Sequence, residues 1–129
     1  MTKWLAFAQR NHCHHREALL EIGYINWTMH RTNFQIGDIV YLFMSDERKV
    51  SFKTVVVEEG CDRTDIAYWS EKKPNMKNTY KLELVQEYCG DKLTEEELVK
   101  HGFNGGRSIQ HPMKNNPELF KYLDEVFDE

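Results

Sequence analysis

Apolar and polar positions along this chain switch between strand spacing and helical spacing several times. Trp4-Leu5-Ala6-Phe7-Ala8 is a continuous apolar run, short enough to predict a largely buried first strand. From His14 to Ile22, Ala18, Leu19 and Ile22 fall at helical spacing, and Gly23 is a fitting stop. Asp38 to Met44 is dense in β-branched and aromatic residues and predicts a strand. The polar turn Asp46-Glu47-Arg48-Lys49 leads into a further strand, Val50 to Val57, with Val50, Phe52, Thr54 and Val56 alternating to one face. These two strands predict a hairpin.

Residues 60–78 are polar and loop-like, with Pro74-Asn75 as turn chemistry. Thr79 to Val85 predicts another strand, placing Tyr80, Leu82 and Leu84 on one face. Thr94-Glu95-Glu96-Glu97 has the spacing of a capping box and opens a helix that ends at Gly102. Asn116-Pro117 supplies an N-cap and a proline at the first helical position. Leu119, Tyr122, Leu123, Val126 and Phe127 then form the apolar stripe of a terminal helix. Strands interleaved with three helices, without repeats or linkers, predict one α+β domain over residues 1–129. Its sheet is expected to be curved and mostly antiparallel, closing as a partial barrel with flanking helices.

Composition narrows this picture only a little. Hydrophobic residues at 40% and charged residues at 29% are ordinary for a soluble domain. No apolar run approaches the roughly 20 residues that span a bilayer, and the N-terminus does not read as a signal peptide, so a cytoplasmic protein without a membrane partner is expected. Cys13, Cys61 and Cys89 are odd in number and widely spaced, which excludes a disulfide framework and a paired C-x-x-C metal site. Net charge is −4, but it is uneven: residues 82–129 carry eleven Asp/Glu against five Lys/Arg, residues 1–81 ten against twelve. A weakly basic first half can contact phosphates, yet not as a binder that relies on many Lys/Arg–phosphate pairs. If such a chain binds nucleic acid, contacts to a base must carry much of the affinity.

Several residues have the chemistry for such contacts. Trp27 stands at the end of an element, outside any periodic stripe; it either closes the core beneath the first helix or offers a stacking platform to a flat ligand. Tyr68-Trp69 lies beside a polar loop, where adjacent aromatics line a pocket or form a satellite cluster. Tyr41 and Phe43 share a strand face with Ile39, as core or as pocket wall. Ser108-Ile109-Gln110 alternates like a short strand, so Ser108 and Gln110 point the same way, and a Gln amide suits the polar edge of a base. Arg10, Arg16 and Arg31 are candidate phosphate contacts. The run His12-Cys13-His14-His15 suggests a metal at first sight, but neighbouring side chains do not converge on one ion, and neither a metal nor a cofactor is expected. Cys13 beside His12, or Cys61 beside Asp62, is the only hint of a nucleophile, and no nucleophile elbow or phosphate loop accompanies it. An enzyme is therefore not expected.

The order of these segments resembles the EVE domain, a member of the PUA-like fold group. The shared features are a first strand led by Trp4, Trp27 upstream of the Gly37-Asp38 turn, and the Val40-Tyr41-Leu42-Phe43 strand. Trp69 in mid-chain and Ser108-Ile109-Gln110 before the last helix complete the set. The resemblance spans nearly the whole chain and is nearest to EVE-like modules that accompany HNH nucleases in modification-dependent restriction proteins; no nuclease portion is present in these 129 residues. The stretches NWTMHRTNF and FMSDE depart from the family pattern. The resemblance implies a PUA-like pseudo-barrel that flips a modified cytosine out of duplex DNA into an aromatic pocket, with any nuclease or other effector encoded separately. Trp27 and Trp69 would be the walls, Ser108 and Gln110 would lie near the base edge, and Tyr41, Phe43 and Ser45 would flank them. An RNA-binding PUA-like module of the ASCH or YTH kind is one alternative. The other is a small-ligand or protein-interaction domain.

Overall fold

A computed structural model of the chain describes residues 2–10, 13–29, 33–70, 74–103, 111–112 and 116–129, with the backbone alone at 111–112. The elements run β1 (Lys3–Ala8), α1 (His15–Glu21), β2 (Tyr24–Thr28), β3 (Ile39–Met44) and β4 (Lys49–Cys61), then a 3-10 turn (Ile66–Tyr68). They continue as β5 (Thr79–Glu87), α2 (Glu95–Val99), β6 (His111–Pro112) and α3 (Pro117–Phe127). One mixed sheet has the order β2-β5-β4-β3-β1-β6 and curls into a half-barrel. The expected α+β class and mostly antiparallel sheet are present; among the described residues only β1 and β3 pair in parallel, Lys3 opposite Ile39 through Ala8 opposite Met44.

β1 and β3 are buried on both faces, which is why both read as nearly unbroken apolar runs. Alternate residues feed two separate cores. Trp4, Ala6, Val40, Leu42, Phe52, Tyr80 and Leu82 pack with Ala18, Leu19, Ile25 and Trp27 on one face. Leu5, Phe7, Tyr41, Phe43 and Val50 pack on the other beneath Leu119, Leu123, Val126 and Phe127 of α3.

The expected alternation of Val50, Phe52, Thr54 and Val56 to one face fails at its first residue. Leu42 pairs with Phe52 but Phe43 with Val50, so Ser51 is the extra residue of a bulge. The insertion turns Val50 into the α3-side core while Phe52 and Val56 stay in the other.

The helix ends follow local chemistry. Gly23 takes φ +82° just after α1, and its N–H bonds to the Ala18 carbonyl at 3.2 Å. Thr94 caps α2 by accepting from the Glu97 N–H at 3.3 Å. Asn116 precedes Pro117 as expected, but its side chain makes no cap bond; Nδ2 donates to the Gly102 carbonyl at 2.7 Å and ties the start of α3 to the turn that follows α2.

Two motif residues prove to be one device. Asp38 accepts from the Trp4 indole N–H at 3.0 Å, from the Thr2 N–H at 2.9 Å and from the Gln35 N–H at 2.9 Å. It thereby fixes the Gly37-Asp38 turn, where Gly37 has φ +95°, to the start of β1.

Candidate functional site

β2 is an edge strand, and its outer side presents backbone groups that a further strand would otherwise pair. Residues 62–70 fill that role with side chains. The Asn26 N–H donates to Asp65 Oδ2 at 2.9 Å, and the Asn26 carbonyl accepts from Arg63 Nη1 at 2.8 Å. Arg63 and Asp65 pair with each other at 2.8 Å, and neither side chain is exposed. Such a pair is tolerable away from water only when its remaining hydrogen-bonding groups are met. Here they are: Arg63 also donates to the Asn75 carbonyl at 2.7 Å and to Thr28 Oγ1 at 3.0 Å.

The same pair holds Trp69. The indole N–H donates to Asp65 Oδ1 at 3.1 Å, and the Arg63 guanidinium lies over the ring, 4.4 Å from its centre. Trp69 stays partly buried, and its backbone bridges to Cys13 just before α1. One carboxylate therefore links the β2 backbone beside Trp27 to the side chain of Trp69. The two tryptophans are brought to the same edge of the sheet.

Trp27 points to the α1 side of β2, pairs across the sheet with Tyr80, and is 9% exposed. Its ring lies 5.8 Å from that of His15, tilted by 42°. His15 is buried, and its Nδ1 has no hydrogen-bond partner. Burial lowers the imidazole pKa to about 4; Asp65 and the Cys13 carbonyl oppose that shift, and Arg63 adds to it. The ring is neutral at pH 7.

Other expected site residues lie elsewhere. Tyr41 and Phe43 are fully buried on the opposite face of the sheet from Trp27. The Tyr41 hydroxyl donates to Asp124 of α3, and Phe43 stacks on Phe103 with ring centres 5.2 Å apart. Strand alternation puts them there, so they cannot wall a pocket together with Trp27. Ser45 donates its hydroxyl to the Ala8 carbonyl at 2.8 Å and joins the ends of β1 and β3. Ser108, Gln110 and Arg31 lie outside the described residues.

The arginines are engaged as well. Arg16 is gripped by Glu47 at 2.6 and 2.9 Å and by Glu87 at 2.9 Å, with its guanidinium over Phe52. Arg10 pairs with Glu17 at 3.0 Å. A phosphate at either position would have to displace a carboxylate.

Cys13 is buried, and burial above all, with Asp65 nearby, pushes its thiol up to about 12, so it stays protonated at neutral pH. His12 lies outside the described residues. Among the described residues no cluster of His, Cys, Asp and Glu could hold a metal ion, and no helix is long and apolar enough to cross a membrane.

Arg63 and Asp65 were not singled out by the sequence reading, since a charged loop usually lies in solvent. The available signal was their spacing: residues two apart in an extended segment share a side. Just past the end of β2, Met29, Asn75, Met76, Lys77 and Asn78 line an open groove of about 540 Å³. No protein-family model matches this chain, and no curated protein matches it.

Proposed function

We propose that this chain is a PUA-like nucleic-acid-binding module that reads a modified base, a modified cytosine in DNA, flipped out of the duplex toward Trp27 and Trp69. The observation that carries the reading is the shared tether: Asp65 binds both the backbone next to Trp27 and the indole of Trp69. Tethering of this kind orients aromatic groups before a ligand arrives, which lowers the entropic cost of binding. Stacking contributes about 1–3 kcal/mol per base, enough to offset a large part of the few kcal/mol that extrusion costs. Little of the Trp27 ring is at the surface, so a base reaches its face only when a neighbouring segment moves. A methyl group on the base adds discrimination of only about 1–3 kcal/mol, so selectivity over plain cytosine is modest.

Tryptophan fluorescence tests this reading, with short duplexes carrying plain, methylated or hydroxymethylated cytosine at low and moderate salt. Selective quenching that disappears in Trp27→Ala is expected. Equal response to modified and plain duplexes would sink the reading.

One observation favours a second reading, a planar small molecule in place of nucleic acid. Arg10 and Arg16 are paired with carboxylates and not held free for phosphates. Quenching by a free nucleoside that is as strong as quenching by any duplex, with no salt dependence, would select it.

A further inference from the structure

The atom that stands out beside Trp27 is His15 Nδ1. The His15 side chain is more than nine-tenths buried, yet this nitrogen has no hydrogen-bond partner. Folded chains leave few buried polar atoms unpaired, because each loses its bonds to water without replacement. A leucine or phenylalanine would fill the same space without that loss. The ring that carries this atom lies beside the ring proposed to stack the base, 5.8 Å between ring centres.

We propose that His15 is a specificity-determining residue of the site, with Nδ1 accepting a hydrogen bond from the exocyclic amino group of the bound base. The inference rests on the base-reading proposal. Its direction follows from the neutral imidazole, which carries one N–H donor and one bare acceptor. A buried N–H left unpaired is rarer and less tolerable than an unpaired acceptor. The proton therefore belongs on Nε2, which leaves Nδ1 as the bare atom. Cytosine presents an amino donor at the position where thymine presents a carbonyl acceptor. An acceptor at Nδ1 rewards the first and repels the second, even when both bases carry the same methyl group.

The test compares binding of two duplexes that differ at one position opposite guanine, 5-methylcytosine or thymine. His15 is expected to raise the ratio of 5-methylcytosine to thymine binding by about tenfold, the scale set by leaving one buried polar group unpaired. In His15→Leu that ratio is expected to fall about tenfold from its wild-type value, with thermal stability equal or higher, since an unpaired polar atom has been removed. The energy of opening each duplex cancels when wild type and variant are compared. His15→Asn, whose Oδ1 can stand near Nδ1, should restore part of the ratio. An unchanged ratio in His15→Leu overturns the assignment.

A second measurement needs no variant. In ¹⁵N-labelled protein, the His15 Nδ1 resonance should move when the methylated duplex is added, while the ring stays neutral. An unmoved resonance, as expected if only an ordered water meets Nδ1, overturns the inference. Should no duplex quench the wild-type fluorescence, the base-reading proposal fails and takes this one with it. Selective quenching lost in Trp27→Ala but accompanied by a static Nδ1 sinks the role of His15 alone.

Discussion

Replacing Asp65 with alanine would remove the centre of the edge network. The carboxylate accepts from the Asn26 N–H, the Trp69 indole and the Arg63 guanidinium, at 2.8–3.1 Å. Its loss leaves a guanidinium without a counter-charge at a site closed to water. Removing one partner of a buried pair costs about 3–5 kcal/mol. A chain of 129 residues has a total stability of roughly 6–19 kcal/mol, so the variant folds but with a much reduced margin. In urea, with a slope of about 1–3 kcal/mol per molar, the midpoint should fall by at least about 1 M. The assay is urea unfolding followed by far-ultraviolet circular dichroism and by tryptophan emission. Emission should also shift in the folded baseline, because Trp69 loses its N–H partner. The paired variant Arg63→Met/Asp65→Leu sharpens the argument. Many buried ion pairs can be replaced by apolar groups at little cost. Here the Asn26 carbonyl and N–H, Thr28 Oγ1 and the Asn75 carbonyl would lose their partners, so the double variant should stay at least about 2 kcal/mol below wild type. An Asp65→Ala protein within about 0.5 kcal/mol of wild type would refute the picture of a closed edge.

Acid should weaken the fold through His15. Its folded pKa of about 4 lies below the ordinary 6.5, so the unfolded chain takes up the proton first as pH falls. The stability from the buried neutral ring is complete above pH 6.5 and is lost as pH falls toward 4, by on the order of 3 kcal/mol; unfolding midpoints across that window, flatter in His15→Leu, check it. Tyr41→Phe removes a buried hydroxyl that donates to the Asp124 carboxylate and should cost about 1–3 kcal/mol in denaturant titrations while leaving any quenching by duplexes unchanged. Under alkylation of the native protein followed by mass spectrometry, exposed Cys89 should be modified readily and buried, protonated Cys13 only after unfolding.

What could be read from the sequence was local. β1, β3, β4 and β5, the stop at Gly23, the Thr94 cap and the proline at the start of α3 each depend on residues a few positions apart, whereas β2, the edge strand at Tyr24–Thr28, was not predicted as a strand. The α+β class and the curved sheet follow from their order. Strand alternation even paired Tyr41 with Phe43 correctly. It could not say that their face is the one α3 covers, because that depends on which core each side of the central strands meets. The bulge at Ser51 was equally out of reach: one inserted residue moves Val50 to the other core without changing the apolar pattern around it. The parallel pairing of β1 and β3 leaves no mark on either strand beyond its burial.

The candidate site divides the same way. Trp27 and Trp69 stood out because large aromatics outside a periodic stripe need a reason. Arg63 and Asp65, which hold them to one edge, looked like solvated loop charges. Their role exists only because the fold leaves the outer side of β2 open, and an arginine and a carboxylate two residues apart happen to reach its N–H and carbonyl. Local pattern determines which elements form. Only contacts between residues distant in the chain decide which charges are buried, which aromatics share a face, and which buried nitrogen is left without a partner.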